Sequence, residues 1–444
     1  MATPIIDFVE KCCKSDASRF YMPGHKGKSL LGFEQRDITE IKGADYLFEA
    51  SGIIGESERQ TAAAFGAADT LFSTEGSTLC IKTMLGIIRL MAGDTQPTVL
   101  APRNVHKAFI DGCILLDINV VWLYPQPYSE SICCANIAPQ LIENALKAHP
   151  EVTCCYVTSP DYLGNTADIQ AIAKICHSFG KPLLVDNAHG AYLAFLEENA
   201  HPIPLGADMC CDSAHKTLPC CTGTAYLHIS KTAPQLFSKA ARNVMSMFAS
   251  TSPSYLLLQS LDLCGDMLAS GEFTKMLGEL VKRVDKCRQK LASLGWALCG
   301  NEKTKLTICA AKCGHSGTEL AELLRQYSIE PEYSDREYVV LMAGVYNTES
   351  DFERLENALA AISIKPPLIN SFPPVVPAER KMSMRDAAFL PWESVNVDDS
   401  LGRVCAMTVT ACQPSVPVVV SGEVISEDII KIMKKYSIFQ VNVL

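Results

Sequence analysis

From about residue 70 to residue 229, short apolar runs alternate with longer stretches whose apolar positions recur at helical spacing. The runs at 98–101, 120–123, 152–157, 182–186, 207–211 and 224–228 are predicted strands. Among the intervening segments, 168–177 is a predicted helix stopped by Gly180, and 79–91 is another, following the strand end Leu71-Phe72-Ser73-Thr74. Strands and helices in alternation predict an α/β fold with a doubly wound, mostly parallel sheet, whose ligands bind at the carboxyl ends of the strands. Residues 1–20 read as a short amphipathic helix and a polar segment. Pro and Gly in Tyr21-Met22-Pro23-Gly24-His25-Lys26-Gly27 then break regular structure. After Ser252-Pro253 the pattern changes. One or two long helices are expected over 256–294, then a mixed segment to about 364 with a candidate strand at 339–343. A Pro-rich connector follows (Pro366-Pro367, Pro373-Pro374, Pro377), and the strand-rich remainder ends in a helix and strand over 427–444.

At 444 residues the chain is too long for a single compact core, and 48% apolar with 20% charged residues fits a globular protein with a large interior. A net charge of −10 with no basic run argues against nucleic acid as a partner. No apolar stretch long enough to span a membrane and no charged-then-apolar leader is visible, so a cytoplasmic protein without a membrane partner is expected. Ten of the twenty cysteines fall in adjacent pairs: Cys12-Cys13, Cys133-Cys134, Cys154-Cys155, Cys210-Cys211 and Cys220-Cys221. Neighbours on a strand face opposite ways, and no paired C-x-x-C occurs, so no metal site is expected. The cysteines read as small buried hydrophobes in a reducing compartment.

The chemistry concentrates in two runs. Val185-Asp186-Asn187-Ala188-His189-Gly190 closes one predicted strand, and Ser213-Ala214-His215-Lys216-Thr217 follows the next. A lysine on a turn after an apolar strand can form a Schiff base with pyridoxal 5'-phosphate. A carboxylate at a neighbouring strand tip can keep the pyridine ring protonated as an electron sink. Taken singly, Lys216 could be a solvated lysine and Asp186 a helix cap. Their order and strand-end placement favour the cofactor. Glu75-Gly76-Ser77-Thr78 turns into a helix, where amides and small hydroxyls suit a phosphate as well as plain capping. His106, in Arg103-Asn104-Val105-His106-Lys107, opens another helix and can either stack on the ring or serve only as a helix-start residue.

With these runs in hand, the chain resembles the short bacterial Orn/Lys/Arg decarboxylases, pyridoxal enzymes of fold type I, the aspartate aminotransferase-like class. The matching runs are Met22 to Lys26, Asp37 to Ile41, Gly76 to Thr78, Pro102 to Lys107, Val185 to Gly190, Ser213 to Lys216 and Thr251 to Tyr255, with a weaker match from Pro417-Val418 to Gly422-Glu423. The resemblance implies an N-terminal arm (1–35), a cofactor-binding major domain (36–255), a small helical and mixed domain (256–365) and a smaller α/β C-terminal domain (366–444), without the wing domain of the longer forms. It implies Lys216 as the Schiff-base lysine and Asp186 as the partner of the ring nitrogen. Gly76, Ser77, Thr78, Ser213 and His215 would hold the phosphate, with His106 on one ring face and Ala188 on the other, and His189 beside them. Thr251 and Ser252 would reach in from a second subunit of a homodimer or larger homo-oligomer. His25 and Lys26 would lie near the entrance. Lys216 or His215 would return a proton after carbon dioxide leaves.

The implied reaction is decarboxylation of an amino acid, most readily arginine, lysine or ornithine. The alternatives are an aminotransferase or lyase with the same cofactor, and a non-catalytic cofactor-binding subunit. Arg336, Arg354 and Arg385 stand in no motif that would grip an α-carboxylate as aminotransferases do. The chain departs from the family's pattern at Glu75, at Asn187 (usually Glu), at Asp161, at Met407 and through Ala411-Cys412-Gln413-Pro414-Ser415. Glu75 and Asp161 are new acids, each either part of a cage for a substrate cation or a solvated loop residue.

Overall fold

The computed structural model describes residues 3–124, 131, 133–134, 137–368, 375, 377–412 and 415–444. Pro373 and Pro374 of the expected connector, and Gln413 and Pro414 of the altered C-terminal run, lie outside these residues. The chain forms two compact units, Met1–Thr95 with Ile169–Leu277, and Gln96–Asp168 with Gly278–Leu444. Among the described residues no helix is long and apolar enough to cross a membrane.

The first unit is built on four strands. Leu183–Asp186 and Met209–Asp212 run parallel, with Asp186 opposite Cys211. Ala225–Ile229 runs against Met209–Asp212, and Asp69–Ser73 runs against Ala225–Ile229 in turn. Apart from Asp69 these strands are buried along their length, so the sheet is covered on both faces. This explains Cys210-Cys211: each thiol faces a different side of one buried strand, and burial pushes both thiols well above the usual range. Among the described residues the cysteines from Cys12 to Cys405 form no disulfide.

Helices follow where the sequence places stop and start signals. Ile169–Ser178 precedes Gly180, which takes φ +67°. The long segment after Pro253 is two helices, Tyr255–Ser270 and Glu272–Ser293, because Gly271 adopts a left-handed cap at φ +79° between them. Ser254 caps the first through the Leu257 amide. The N-terminal helix Pro4–Lys14 is fastened by Asp262: Oδ2 accepts from the Ile5 and Ile6 amides at 3.0 Å each, and Oδ1 from Ser57 Oγ at 2.6 Å. Strand boundaries fall within a residue or two of expectation, and the helix predicted from residue 79 begins at Gly76. The helices Ile53–Phe65 and Gln235–Ser246 had no counterpart in the sequence reading.

The second unit holds three parallel strands, Thr98–Pro102, Asn119–Leu123 and Cys154–Thr158, with Thr98–Pro102 between the other two. A separate four-stranded sheet runs Tyr333–Ser334, Val339–Met342, Lys305–Ile308, Leu298–Cys299, each strand antiparallel to its neighbour. The final stretch pairs Glu393–Asn396 with Gln440–Val443 and packs the helix Glu427–Lys435 on a core that includes Val419, Ile425, Ile432, Met433 and Val443. Arg103 and Glu423 form a buried two-pronged ion pair, Nη1 to Oε1 at 2.8 Å and Nη2 to Oε2 at 2.6 Å, and the guanidinium lies 4.9 Å from the Trp122 ring centre.

Removing one member of such a pair strands a buried charge, so Glu423→Gln should lower stability by about 3 kcal/mol in urea unfolding. A loss below about 1 kcal/mol would show that the guanidinium is solvated or re-paired in the variant.

Candidate active site

The strand Met209–Asp212 ends in Ser213, and a single helical turn, Ala214–Thr217, carries His215 and Lys216. The turn is held by Lys216 N donating to Ser213 O (3.1 Å) and by His215 Nδ1 donating to the Thr224 carbonyl (2.8 Å). With its Nδ1 proton so used, His215 has Nε2 as its working nitrogen. Ser213 Oγ donates to Ser77 Oγ at 2.9 Å.

The parallel neighbour Leu183–Asp186 ends in a tight turn in which Gly190 N donates to Asn187 O at 2.7 Å. Asp186 is 2% exposed and accepts from Ala188 N at 3.2 Å and from Cys211 Sγ at 3.6 Å. His189, also buried, receives Lys216 Nζ at 3.0 Å on Nε2. Lys216, His189, Ser77 and Ser213 are thus brought together, and Asp186 heads the same turn as His189.

Gly76 opens the helix Gly76–Met91 at φ +68°, which only glycine adopts freely, and its amide donates to Gly223 O at 2.7 Å. Glu75 precedes it and places no side-chain cap on the helix. Its carboxylate instead accepts from Ser250 N at 2.7 Å, so it organises the exposed segment that continues into Thr251 and Ser252. His25 is tied to Asp37 (Nε2 to Oδ2, 3.2 Å) and accepts Gly27 N on Nδ1 at 2.9 Å. In the second unit, His106 is the cap of Lys107–Leu116, its Nδ1 accepting Ala108 N at 3.1 Å. Asp161 is no solvated loop residue. It is 3% exposed and accepts from Asn165 N and Nδ2 at 2.8 Å each, and burial, offset in part by Asn165, raises its carboxyl.

The donor set fits pyridoxal phosphate. Two hydroxyls 2.9 Å apart lie at the first turn of a helix whose cap residue leaves the turn uncapped, which suits a phosphate dianion. A half-buried amine paired with a buried imidazole suits an aldehyde, and a buried carboxylate suits a ring nitrogen.

The model of the Orn/Lys/Arg decarboxylase major domain matches residues 3–311. The chain belongs to the Orn/Lys/Arg decarboxylase family. It is 30% identical over 458 residues to the arginine decarboxylase of Halalkalibacterium halodurans, covering 96% of this chain and 91% of that protein. It is 29% identical to the arginine decarboxylase of Bacillus subtilis, covering 96% and 92%. The fold matches the Francisella novicida lysine decarboxylase at a TM-score of 0.82 and 16% identity, over 100% of this chain and 81% of that one. The fold class and the decarboxylase assignment expected from sequence therefore stand.

Sequence reasoning passed over one group beside these family motifs. Asp212 is fully buried, as are His201 and His228, whose Nε2 atoms lie 3.0 and 3.2 Å from Asp212 Oδ2. Its only sequence signal was an acid just before Ser213. Burial would raise the Asp212 carboxyl, but His201, and then His228, hold it well below the usual range, while burial lowers His228. Unfolded, both groups take up protons more readily than folded. Stability should therefore be full near neutrality and fall as pH drops below 6.5, the ordinary value for His228, and fall further below 3.8, that for Asp212. Urea unfolding across this range checks it. His228→Phe should flatten the first part of the decline, and an unchanged slope would remove His228 as its source.

Proposed function

We propose that the chain is a pyridoxal-phosphate-dependent arginine decarboxylase, releasing agmatine and carbon dioxide. The observation that carries this is the pairing of Lys216 with His189 beside Asp186, at the carboxyl ends of two parallel strands. Arginine is favoured among the family's substrates by the relatives that align with nearly the whole chain. Pyridoxal phosphate, when bound, supplies an aldehyde for the substrate amine and a protonated ring that draws off electrons as the carboxylate leaves.

The chain's own residues do the rest. Lys216 would hold the aldehyde through Nζ until substrate arrives, and His189 keeps that amine aimed before then. Asp186, buried and accepting two donors, would hold the proton on the ring nitrogen. Gly76, Ser77, Thr78, Ser213 and His215 would fix the phosphate, while Ala188 and His106 would pack on the two ring faces. After carbon dioxide departs, a proton would reach the α-carbon from Lys216 Nζ, or from His215 Nε2 once that nitrogen has itself taken up a proton. Excluding water from the carboxylate would favour neutral carbon dioxide over the anion. Exposed Thr251 and Ser252 would complete the site of a second subunit, making a homodimer the working form. We place the enzyme in the cytoplasm.

Purified protein with pyridoxal phosphate, given arginine, lysine, ornithine and the standard amino acids, should yield agmatine by mass spectrometry. Cadaverine or putrescine in its place would reassign the substrate, and a keto acid or no product would overturn the decarboxylase reading. Lys216→Ala should abolish steady turnover and borohydride fixation of the cofactor to the chain. Asp186→Ala should keep that fixation and lose about a hundredfold or more in kcat.

A further inference from the structure

Asp212 ends its strand with a carboxylate in full burial, and every neighbour is arranged to meet it. Oδ1 accepts from Asn187 Nδ2 at 2.7 Å, and Oδ2 from His201 Nε2 at 3.0 Å. His201 Nδ1 accepts the Ile203 amide at 3.4 Å, which puts its proton on Nε2, toward Asp212. His228 stands opposite Cys210 on the adjoining strand, its Nδ1 bonded to Thr70 Oγ1 at 2.8 Å, and Phe65 covers both imidazoles at 4.3 and 5.2 Å between ring centres. Cys210 also lies near (Sγ to His201 Nε2, 3.8 Å). With His201 Nε2 protonated and burial keeping the thiol protonated, the cluster is a hydrogen-bond network rather than an ion site.

Asn187 is clamped as firmly. Its amide donates to Cys211 O at 2.9 Å and its carbonyl accepts Gly190 N. A Cβ on Gly190 would come within 2.0 Å of Asn187 Oδ1, so the Asn187 side chain is packed under the turn. Asp186 and His189 flank Asn187 in sequence, while Ser213 and Lys216 follow Asp212. One 2.7 Å bond therefore ties the two strand ends that carry the site. We propose that Asn187 and Asp212 are a matched positioning pair, an amide donor facing a carboxylate, that sets the Asp186–His189 turn against the Ser213–Lys216 turn. The departure from the family's usual acid at this position then has a physical reason: a second carboxylate facing Asp212 would bury two like charges in contact. Asn187 instead gives Asp212 the donor it needs.

The inference rests on the reading of this turn pair as the cofactor site, and exchange of the two side chains tests it. Asn187→Asp should weaken pyridoxal phosphate binding to the cofactor-free protein by about tenfold or more, followed by visible absorbance well below the melting temperature. Asp212→Asn should weaken it too, because the amide's NH2 end replaces one of the two accepting oxygens and sets a donor against the Asn187 or His201 donor. The double exchange, Asn187→Asp with Asp212→Asn, restores a donor facing an acceptor and should return affinity to within about threefold of the parent. Single variants within about threefold of the parent, or a double variant no better than the worse single one, would overturn the pairing. A role confined to stability would lower the melting temperature and leave the affinity alone, which also overturns it. Should Asn187→Asp not accumulate as folded protein, Asn187→Ala removes the donor without adding charge and is held to the same tenfold criterion. If the parent itself takes up no pyridoxal phosphate, the proposed function falls. The melting temperatures of the cofactor-free proteins then decide the pair: recovery in the double exchange keeps it, and none removes it.

Discussion

Burying the Asp212 carboxylate obliges the elements around it to supply donors, and that demand organises the first unit. An unpaired carboxylate in this interior would cost several kcal/mol and would take up a proton instead. Three elements answer it: the loop bearing His201, the strand bearing His228 and the turn bearing Asn187. Phe65, from the helix Ile53–Phe65, closes over the imidazoles. The arrangement lies one residue from Ser213 and four from Lys216, so the rigidity of the network passes directly into the turn that bears Lys216. Ser213 then reaches Ser77 at the start of the helix Gly76–Met91, and the chain of bonds runs from a buried charge to the hydroxyls proposed to hold the phosphate.

Much of this was legible in the sequence, and the reasons are local. Leu183–Asp186 and Met209–Asp212 declare themselves because strands buried on both faces are short, nearly unbroken apolar runs. Gly76 and Gly180 declare a turn and a helix stop, and each takes a positive φ. Lys216 and Asp186 were singled out through motif order, since consecutive parallel strands deliver their carboxyl ends to the same edge. What escaped depends on contacts between residues far apart in sequence. His201 and His228 carry no motif, and only cross-strand register sets His228 beside Cys210. The helix Gln235–Ser246 was missed although its apolar positions Phe237, Ala240, Ala241 and Val244 follow helical spacing.

The two acids singled out as departures illustrate the same limit. From sequence, Asp161 and Glu75 were equally open to caging a substrate cation or standing in solvent. Asp161 spends its carboxylate on Asn165, with Lys305 Nζ donating to its carbonyl at 3.3 Å, and so shapes its own turn. Glu75 turns to Ser250 N. Each new charge is thereby answered by a local donor.

That answer bears on how a guanidinium can be recognised. A cation cage needs carboxylate oxygens free to accept planar, paired hydrogen bonds. Asp161 has both oxygens engaged and a carboxyl raised by burial, so it is a poor counter-ion. Glu75 has one oxygen engaged and is exposed next to the segment leading to Thr251 and Ser252. If that segment completes the site of a second subunit, Glu75 acts first by fixing the offered loop. With only one oxygen engaged, its carboxylate also keeps more accepting capacity for a cation than that of Asp161.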